Sequence, residues 1–400
     1  MKIQQLAIRK IFDSRGQATI EMELTSESGR IFQGSVPSGK SRGSNEAVVL
    51  EYAQAETVVA VIQKQIQNRN FSSVQELDDF LKKLDGTNNK SKLGGNVLLG
   101  ISIAFARAMA DFKRQSVEVY LNREFFGSQT FLGKPIIFSN LINGGEHAQN
   151  NLAIQEYMVV ARSSHSFSET VGKLTAFYKK LGEVLKKRYK VKNLPIGDEG
   201  GYSLDFTDNF EPIKILETLL QKENLNQEWS IGLDCAASSF YKKGKYQFGG
   251  KLLTSNQLVA IYVSYAKKSN LLVSLEDPFA EKDYEGFRLL MSQVKNKLIV
   301  GDDLTTTNGS LIEQYAKDQL INGVIIKPNQ IGTVSETCDA IRKAKNHNIK
   351  TIISHRSGET EDSFIIQLAK ASGAHGVKIG APIKERLIKF NELIRIYDSE

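Results

Sequence analysis

Six short apolar runs in the second half of the chain each end on a group capable of acid–base, metal or anion chemistry. WSIGLDC (229–235) ends at Asp234, LLVSLEDP (271–278) at Glu276 and LIVGDD (298–303) at Asp302. GVIIKP (323–328) ends at Lys327, KTIISHR (350–356) at His355 and Arg356, and GVKIGAP (376–382) at Lys378. One lysine at the mouth of a Val-Ile-Ile run would ordinarily carry its ammonium into water. Six consecutive runs that deliver such groups to the same end describe a site. Three carboxylates from successive strands repel one another unless a cation neutralises them. All-oxygen ligands suit a hard ion, with Mg2+ the choice where a phosphorylated substrate completes the shell. A lysine near a divalent ion is pushed toward its neutral, basic form, so the layout suits proton abstraction beside a metal-stabilised enolate. The plainer alternative is that the carboxylates only pair with Lys327 and Lys378.

The elements that must position these groups follow from the spacing. Steps between the markers are 42, 26, 25, 28 and 23 residues. After the first, each step is the length of a strand, a helix and two loops. Six such units predict an α/β fold with a (β/α)8-type barrel whose site lies at the carboxyl ends of its strands. A doubly wound sheet is the alternative, but it would gather functional groups only at a switch point. The front of the chain reads differently. Residues 6–39 alternate apolar and polar side chains around glycine turns, as antiparallel strands do, and from Asn45 to Phe126 the period becomes helical. The expected division is an N-terminal α+β capping domain over 1–126 and a catalytic barrel over 134–400, joined by GSQTFLGKP (127–135).

Composition bounds the function. Hydrophobic residues make up 41% of 400 and charged residues 24%, the balance of a soluble globular chain. A net charge of +7 and a pI near 9.0 suit a small anionic substrate and make nucleic acid an unlikely partner. The basic stretch at 173–192 is an amphipathic helix with a solvated face. Two cysteines, Cys235 and Cys338, are too few for a disulfide scaffold or a cysteine-built zinc site. MKIQQLAIRK lacks an apolar signal core, and no run is expected to reach the ~18–20 apolar residues of a membrane span; the expected location is cytoplasmic.

One family carries all these features in order. FDSRG (12–16), VPSGKSRG (36–43), NKSKLGGN (89–96), INGGEHAQNNLAIQEYM (142–158), GDEGGY (197–202), GLDCAASSF (232–240), SLEDPF (274–279), VGDDLTTTN (300–308), IIKPNQIGT (325–333), SHRSGETEDSF (354–364) and KIGAP (378–382) resemble the enolases, the phosphopyruvate hydratases of glycolysis, from about Ile3 to Ile396. The resemblance implies reversible dehydration of 2-phosphoglycerate to phosphoenolpyruvate with two Mg2+ per site, the second recruited with substrate. It implies Lys327 as the base at C2 and Glu199 as the acid at the C3 hydroxyl, with Glu156 in support. Asp234, Glu276 and Asp302 would hold the first Mg2+, and Ser41 would complete the second site. His147, Gln155, His355, Arg356, Ser357 and Lys378 would bind substrate. A homodimer or larger ring is implied as well.

The chain departs from the family in the lid, where Lys40 and Arg42 stand at positions usually small or uncharged. It also has Ser239 for a glutamate, Ile379 for a threonine, and Pro328 beside the base. These changes motivate an alternative in which the same chemistry acts on a related phosphonate or phosphorylated acid. A non-catalytic surface- or RNA-binding role is the remaining alternative, and the complete set of ligands argues against it.

Overall fold

In the computed structural model the described residues are 1–40, 43–67, 69–128, 133–163 and 165–398. The chain opens with three antiparallel strands, β1 (Ile3–Phe12), β2 (Ala18–Ser26) and β3 (Ile31–Ser35). On β2 the alternation buries Ile20, Met22 and Leu24 on one face, as a half-covered sheet requires. Four helices follow, α1 (Tyr52–Ile66), α2 (Val74–Asp85), α3 (Gly95–Phe112) and α4 (Val117–Phe125). Helical structure begins at Tyr52, later than the expected Asn45. The preceding segment is extended because its backbone serves other partners: Ala47 N–H donates to Gln330 O at 2.8 Å and Val48 N–H to Asn89 O at 2.8 Å.

Helix α3 corrects one expectation. It is long and apolar enough to cross a membrane by length and composition, yet 83% of it is buried inside the protein. Its small residues explain the fit. A Cβ at Gly34 would lie 2.3 Å from Gly100 O, and one at Gly100 would lie 2.5 Å from Met22 Cγ. Glycine at both positions therefore presses the helix onto the sheet, as a core helix can be pressed but a lipid-facing one need not be.

The second part is a closed barrel. Its strands are β4 (Ile136–Asn143), β5 (Glu156–Ala161), β6 (Trp229–Asp234), then β10 (Leu272–Glu276), β11 (Leu298–Gly301), β12 (Gly323–Ile326), β13 (Lys350–Ser354) and β14 (Gly376–Ile379), which pairs back onto β4. Between β6 and β10 lies a small sheet of β7 (Tyr241–Lys242), β8 (Lys245–Phe248) and β9 (Lys251–Leu253). The connecting helices are α5 (Phe167–Tyr189), α6 (Glu211–Lys222), α7 (Ser255–Lys268), α8 (Tyr284–Gln293), α9 (Gly309–Lys317), the single turn α10 (Pro328–Ile331), α11 (Val334–Asn346), α12 (Phe364–Ser372) and α13 (Leu387–Tyr397). The barrel departs from a uniform (β/α)8 pattern in one place: β5 runs antiparallel to both β4 and β6. Only a single 3-10 turn at Gly145–His147 and no crossover helix separates β4 from β5, so the chain returns down its neighbour instead of crossing over. Phe138, Met158, Val160, Val300, Ile325 and Ile352 pack together in a cluster of their own, the kind of side-chain filling that makes such a barrel a packed core.

The helical front is fastened to the barrel by buried and half-buried polar contacts. Arg107 on α3 forks onto Asp362 with both distances 2.7 Å. Lys90 reaches Glu336 at 2.7 Å, and Ser335 N–H donates to Asp78 Oδ2 at 2.8 Å.

Candidate active site

The strand registers bring the charged groups to one rim. Glu156 is paired with Asp234, and Asp234 with Glu276. Because β5 is reversed, its first residue stands level with the last residues of β6 and β10. Asp302 and Lys327 lie just past β11 and β12, and Lys378 sits beside Ser354. Lys327, Glu199, Glu156, Asp234, Asp302, His147, Gln155, His355, Arg356, Ser357 and Lys378 line a single cavity. Glu276 lies immediately behind Lys378, while Ser41 and Arg42 lie outside the described residues. The cavity's free volume is only about 20 Å3, room for about one water molecule.

Lysines bridge the carboxylates. Lys378 Nζ donates to Asp234 Oδ2 at 2.8 Å and to both oxygens of Glu276 at 2.8 and 2.9 Å, and lies 3.2 Å from Glu156 Oε2. Lys327 Nζ pairs with Asp302 Oδ2, whose other oxygen accepts from Gln330 Nε2 at 3.0 Å. Burial would lower the basicity of Lys327, but the Asp302 carboxylate outweighs it and the net shift is upward. Lys378 is raised further, since burial is overcome by Asp234, Glu156 and Glu276. The plainer alternative, pairing between acids and lysines, is thus present in the structure, yet it leaves charge over. Four carboxyls in direct contact (Glu156, Asp234, Glu276, Asp302) meet two ammoniums, an excess of two carboxyl groups. Burial and Asp234 push the Glu276 carboxyl up, as that excess demands. An all-oxygen cluster with more carboxyls than ammoniums fits a hard divalent cation, which would take the place of the protons.

A second group faces this one. His147 Nδ1 lies 3.7 Å from Glu199 Oε1 and 3.9 Å from Glu156 Oε1. The GDEGG turn holds Glu199 in place. Gly200, at φ +84°, provides its left-handed bend, and Gly200 N–H donates to Gly197 O at 3.0 Å. Glu199 accepts from Asn140 Nδ2 at 3.1 Å. Burial would raise it, but the imidazoles of His355 and His147, with Arg386 behind them, hold it well below the usual carboxylate range. Glu156 goes the other way, raised by burial and by the Glu199 charge. The two carboxyls therefore titrate as a pair, with the shared proton on Glu156 rather than on Glu199. His355 is driven down to about 4, chiefly by burial, and is neutral. Arg386 Nη1 donates to its Nδ1 at 3.0 Å, so the other ring nitrogen, 3.5 Å from Glu199 Oε1, carries the hydrogen.

Arg356 is held by Glu46, whose Oε2 lies 3.2 Å from Nη1, and by Asn329 Oδ1 at 2.9 Å. A Cβ on Gly39 would fall 1.8 Å from Arg356 Nη2, so the lid backbone rests on the guanidinium only because residue 39 has no side chain. Lys40, from the same loop, spans the rim, donating through Nζ to Glu146 O at 2.6 Å and to Asp198 Oδ2 at 3.1 Å. Its N–H donates to Ser357 Oγ at 3.1 Å. Four contributors escaped the sequence reading: Glu46, Asn140, Asp277 and Arg386. Arg386 donates to Arg356 O at 2.8 Å and Ser357 O at 2.6 Å. Asp277 accepts from the backbone of Asp302 and Asp303 at 2.9 and 2.7 Å. Of these, Asp277 had a signal, being a second acid beside Glu276. The rest lie away from strand ends.

A barrel with lysines and carboxylates gathered at one rim, beneath a loop from a small antiparallel sheet, defines an enzyme built to move protons beside a bound anion. The chain belongs to the enolase family. Residues 3–121 match the model described as "Enolase, N-terminal domain" and residues 132–399 the one described as "Enolase, C-terminal TIM barrel domain". Among curated relatives, proteins named Enolase from Elusimicrobium minutum and Anaplasma marginale are 38% and 39% identical, covering 99% of this chain and 95% and 94% of theirs. One from Methanosarcina barkeri is 38% identical over 99% of this chain and 94% of its own.

Proposed function

We infer that this chain catalyses the reversible dehydration of 2-phosphoglycerate to phosphoenolpyruvate, a hydro-lyase reaction. The observation that carries the reading is the pairing across one cavity of a lysine–carboxylate group with a histidine–glutamate group, in a chain of enolase family. Removing the C2 proton needs a base on one side of the substrate, and expelling the C3 hydroxide needs an acid on the other. Lys327 takes the base role and Glu199 the acid role, with Glu156 as the neighbour from which a proton reaches it by way of His147. Lys378 remains cationic throughout and lies where it can face the substrate carboxylate, on which negative charge grows as the proton leaves. Arg356 offers a bidentate fork to the phosphate, and Ser357 a hydroxyl. Neutral His355 and His147 and the amide of Gln155 supply directional contacts; buried atoms of all three lack hydrogen-bond partners among the described residues.

Asp234, Glu276 and Asp302 are the residues that would hold Mg2+, with Ser41 at a second ion. The ions supply positive charge that stabilises the enolate-type dianion. With Asp302 holding such an ion, Lys327 would lose the partner that raises its basicity. Two ions per site and a homodimeric assembly rest on family membership. The lid cation Lys40 favours an anionic substrate and leaves open the second reading, a related phosphonate. Adding 2-phosphoglycerate to the purified chain with Mg2+ tests the reading through the ultraviolet absorbance of phosphoenolpyruvate. We expect turnover that EDTA abolishes; no product at saturating Mg2+ would rule the assignment out.

A further inference from the structure

At the end of the barrel opposite the carboxylate rim lies a cavity of about 610 Å3. It is bounded by the starts of β4, β13 and β14, by residues just after β5, and by the C-terminal ends of α11 and α12. Among the described residues its ionisable lining is Lys134, Arg162, Lys345, Lys350 and His375, with no aspartate or glutamate. An adjoining cavity of about 390 Å3 shares Arg162 and His375 and adds Lys295 and Lys297, with Glu228 as its acid.

Structural duties account for two of these cations. Lys345 donates to Ser372 O at the end of α12, an ordinary use of a lysine at a helix C-terminus. Lys134 donates to His165 O and lies 3.9 Å from Asp398. Arg162 and Lys350 have no carboxylate partner among the described residues. Ser163 Oγ, also in the lining, is shut off from solvent without a hydrogen-bond partner among them. His375 is affected by the same surplus of positive charge: burial first, then Lys350 and Arg162, lower its basicity. Like charges focused in a concave, acid-free space draw anions, and the volume falls in the range of small-molecule sites while exceeding the needs of a single phosphate.

We propose that this floor cavity binds a small polyanion carrying two linked phosphate groups, gripped by Arg162 and Lys350 and hydrogen-bonded by His375. The site is separate from the reaction at the opposite rim and does not depend on how that reaction is assigned. Arginine provides the fork and lysine the point charge that phosphate oxygens use.

The test titrates inorganic pyrophosphate into the full chain in EDTA, so that metal draws none of it to the other rim. The imidazole resonances are followed by NMR, with His375 assigned from His375→Gln. The expected result is a saturable shift of the His375 signal and a rise in its pKa, with His147 and His355 unmoved. The Arg162→Gln/Lys350→Gln double variant should bind pyrophosphate at least about tenfold more weakly while keeping wild-type turnover, which also shows that it folds. An unmoved His375 signal, a response confined to His147 and His355, or undiminished affinity in the double variant would overturn the proposal.

Discussion

Lys378 shows how one buried side chain can hold a site together. It contacts three carboxyls from three strands, so its ammonium stands where a cation is required. The acids at 234, 276 and 302 and the lysine at 327 were legible as members of one rim because each terminates an apolar run, and strand ends of a barrel converge. Glu156 was not legible that way, since it begins its strand; only the family resemblance carried it. Arg386 was invisible for a different reason, because it serves backbone carbonyls and leaves no pattern in side-chain spacing. Its role makes a firm prediction. Arg386→Lys retains the charge but cannot reach Arg356 O, Ser357 O, Asp198 O and His355 Nδ1 together. Leaving one or two of these buried acceptors unpaired should cost about 2–4 kcal/mol of stability, read from denaturant unfolding, and should lower turnover by loosening the 355–357 loop. Stability within about 0.5 kcal/mol of wild type would contradict this role.

Among the elements, the reversal of β5 is the feature that periodicity could not supply. A buried strand reads the same in either direction, and only the missing crossover helix between β4 and β5 fixes its sense. The seam between α2 and α11 carries a second hidden property. Asp78 is fully buried, and burial raises its carboxyl to about 7, against hydrogen bonds from Ser102 and Ser335 that lower it. Between about pH 4 and 7 the folded chain keeps a proton that the unfolded chain has released. The stability this residue contributes is therefore complete below that window and falls as pH rises through it. The effect is about 4 kcal/mol across the whole window. Asp78→Asn keeps an acceptor for Ser335 N–H and does not titrate. It should gain stability relative to wild type on going from pH 5 to pH 8, measured by denaturant unfolding at both values. A difference independent of pH would show that Asp78 is ionised in the folded chain throughout.

For the whole molecule, the sequence spacing was enough for a barrel with a capping α+β part, because repeats near 25 residues and a change of period at the front are long-range signals. The packing of α3 was not, since Gly34 and Gly100 matter only once sheet and helix meet. The charge balance was also hidden: pairing with lysines had been an alternative to metal binding, whereas the structure has both paired acids and more carboxyls than ammoniums. A divalent cation should therefore stabilise the folded chain even without substrate. At a hundredfold excess over its Kd the gain is about 2.7 kcal/mol, seen as a higher melting temperature in Mg2+ than in EDTA. Identical melting in the two would mean that the lysines alone satisfy the carboxylates.

The central claim, that Lys327 removes a substrate proton while Glu199 acts on the far side, is tested most directly by exchange at C2 of 2-phosphoglycerate in D2O with Mg2+ present. Glu199→Gln should exchange the C2 proton for deuterium while forming almost no phosphoenolpyruvate. Lys327→Ala should do neither, with exchange reduced by about 10²-fold or more. Wild-type exchange in Lys327→Ala, or loss of exchange in Glu199→Gln alone, would contradict the assignment of base and acid.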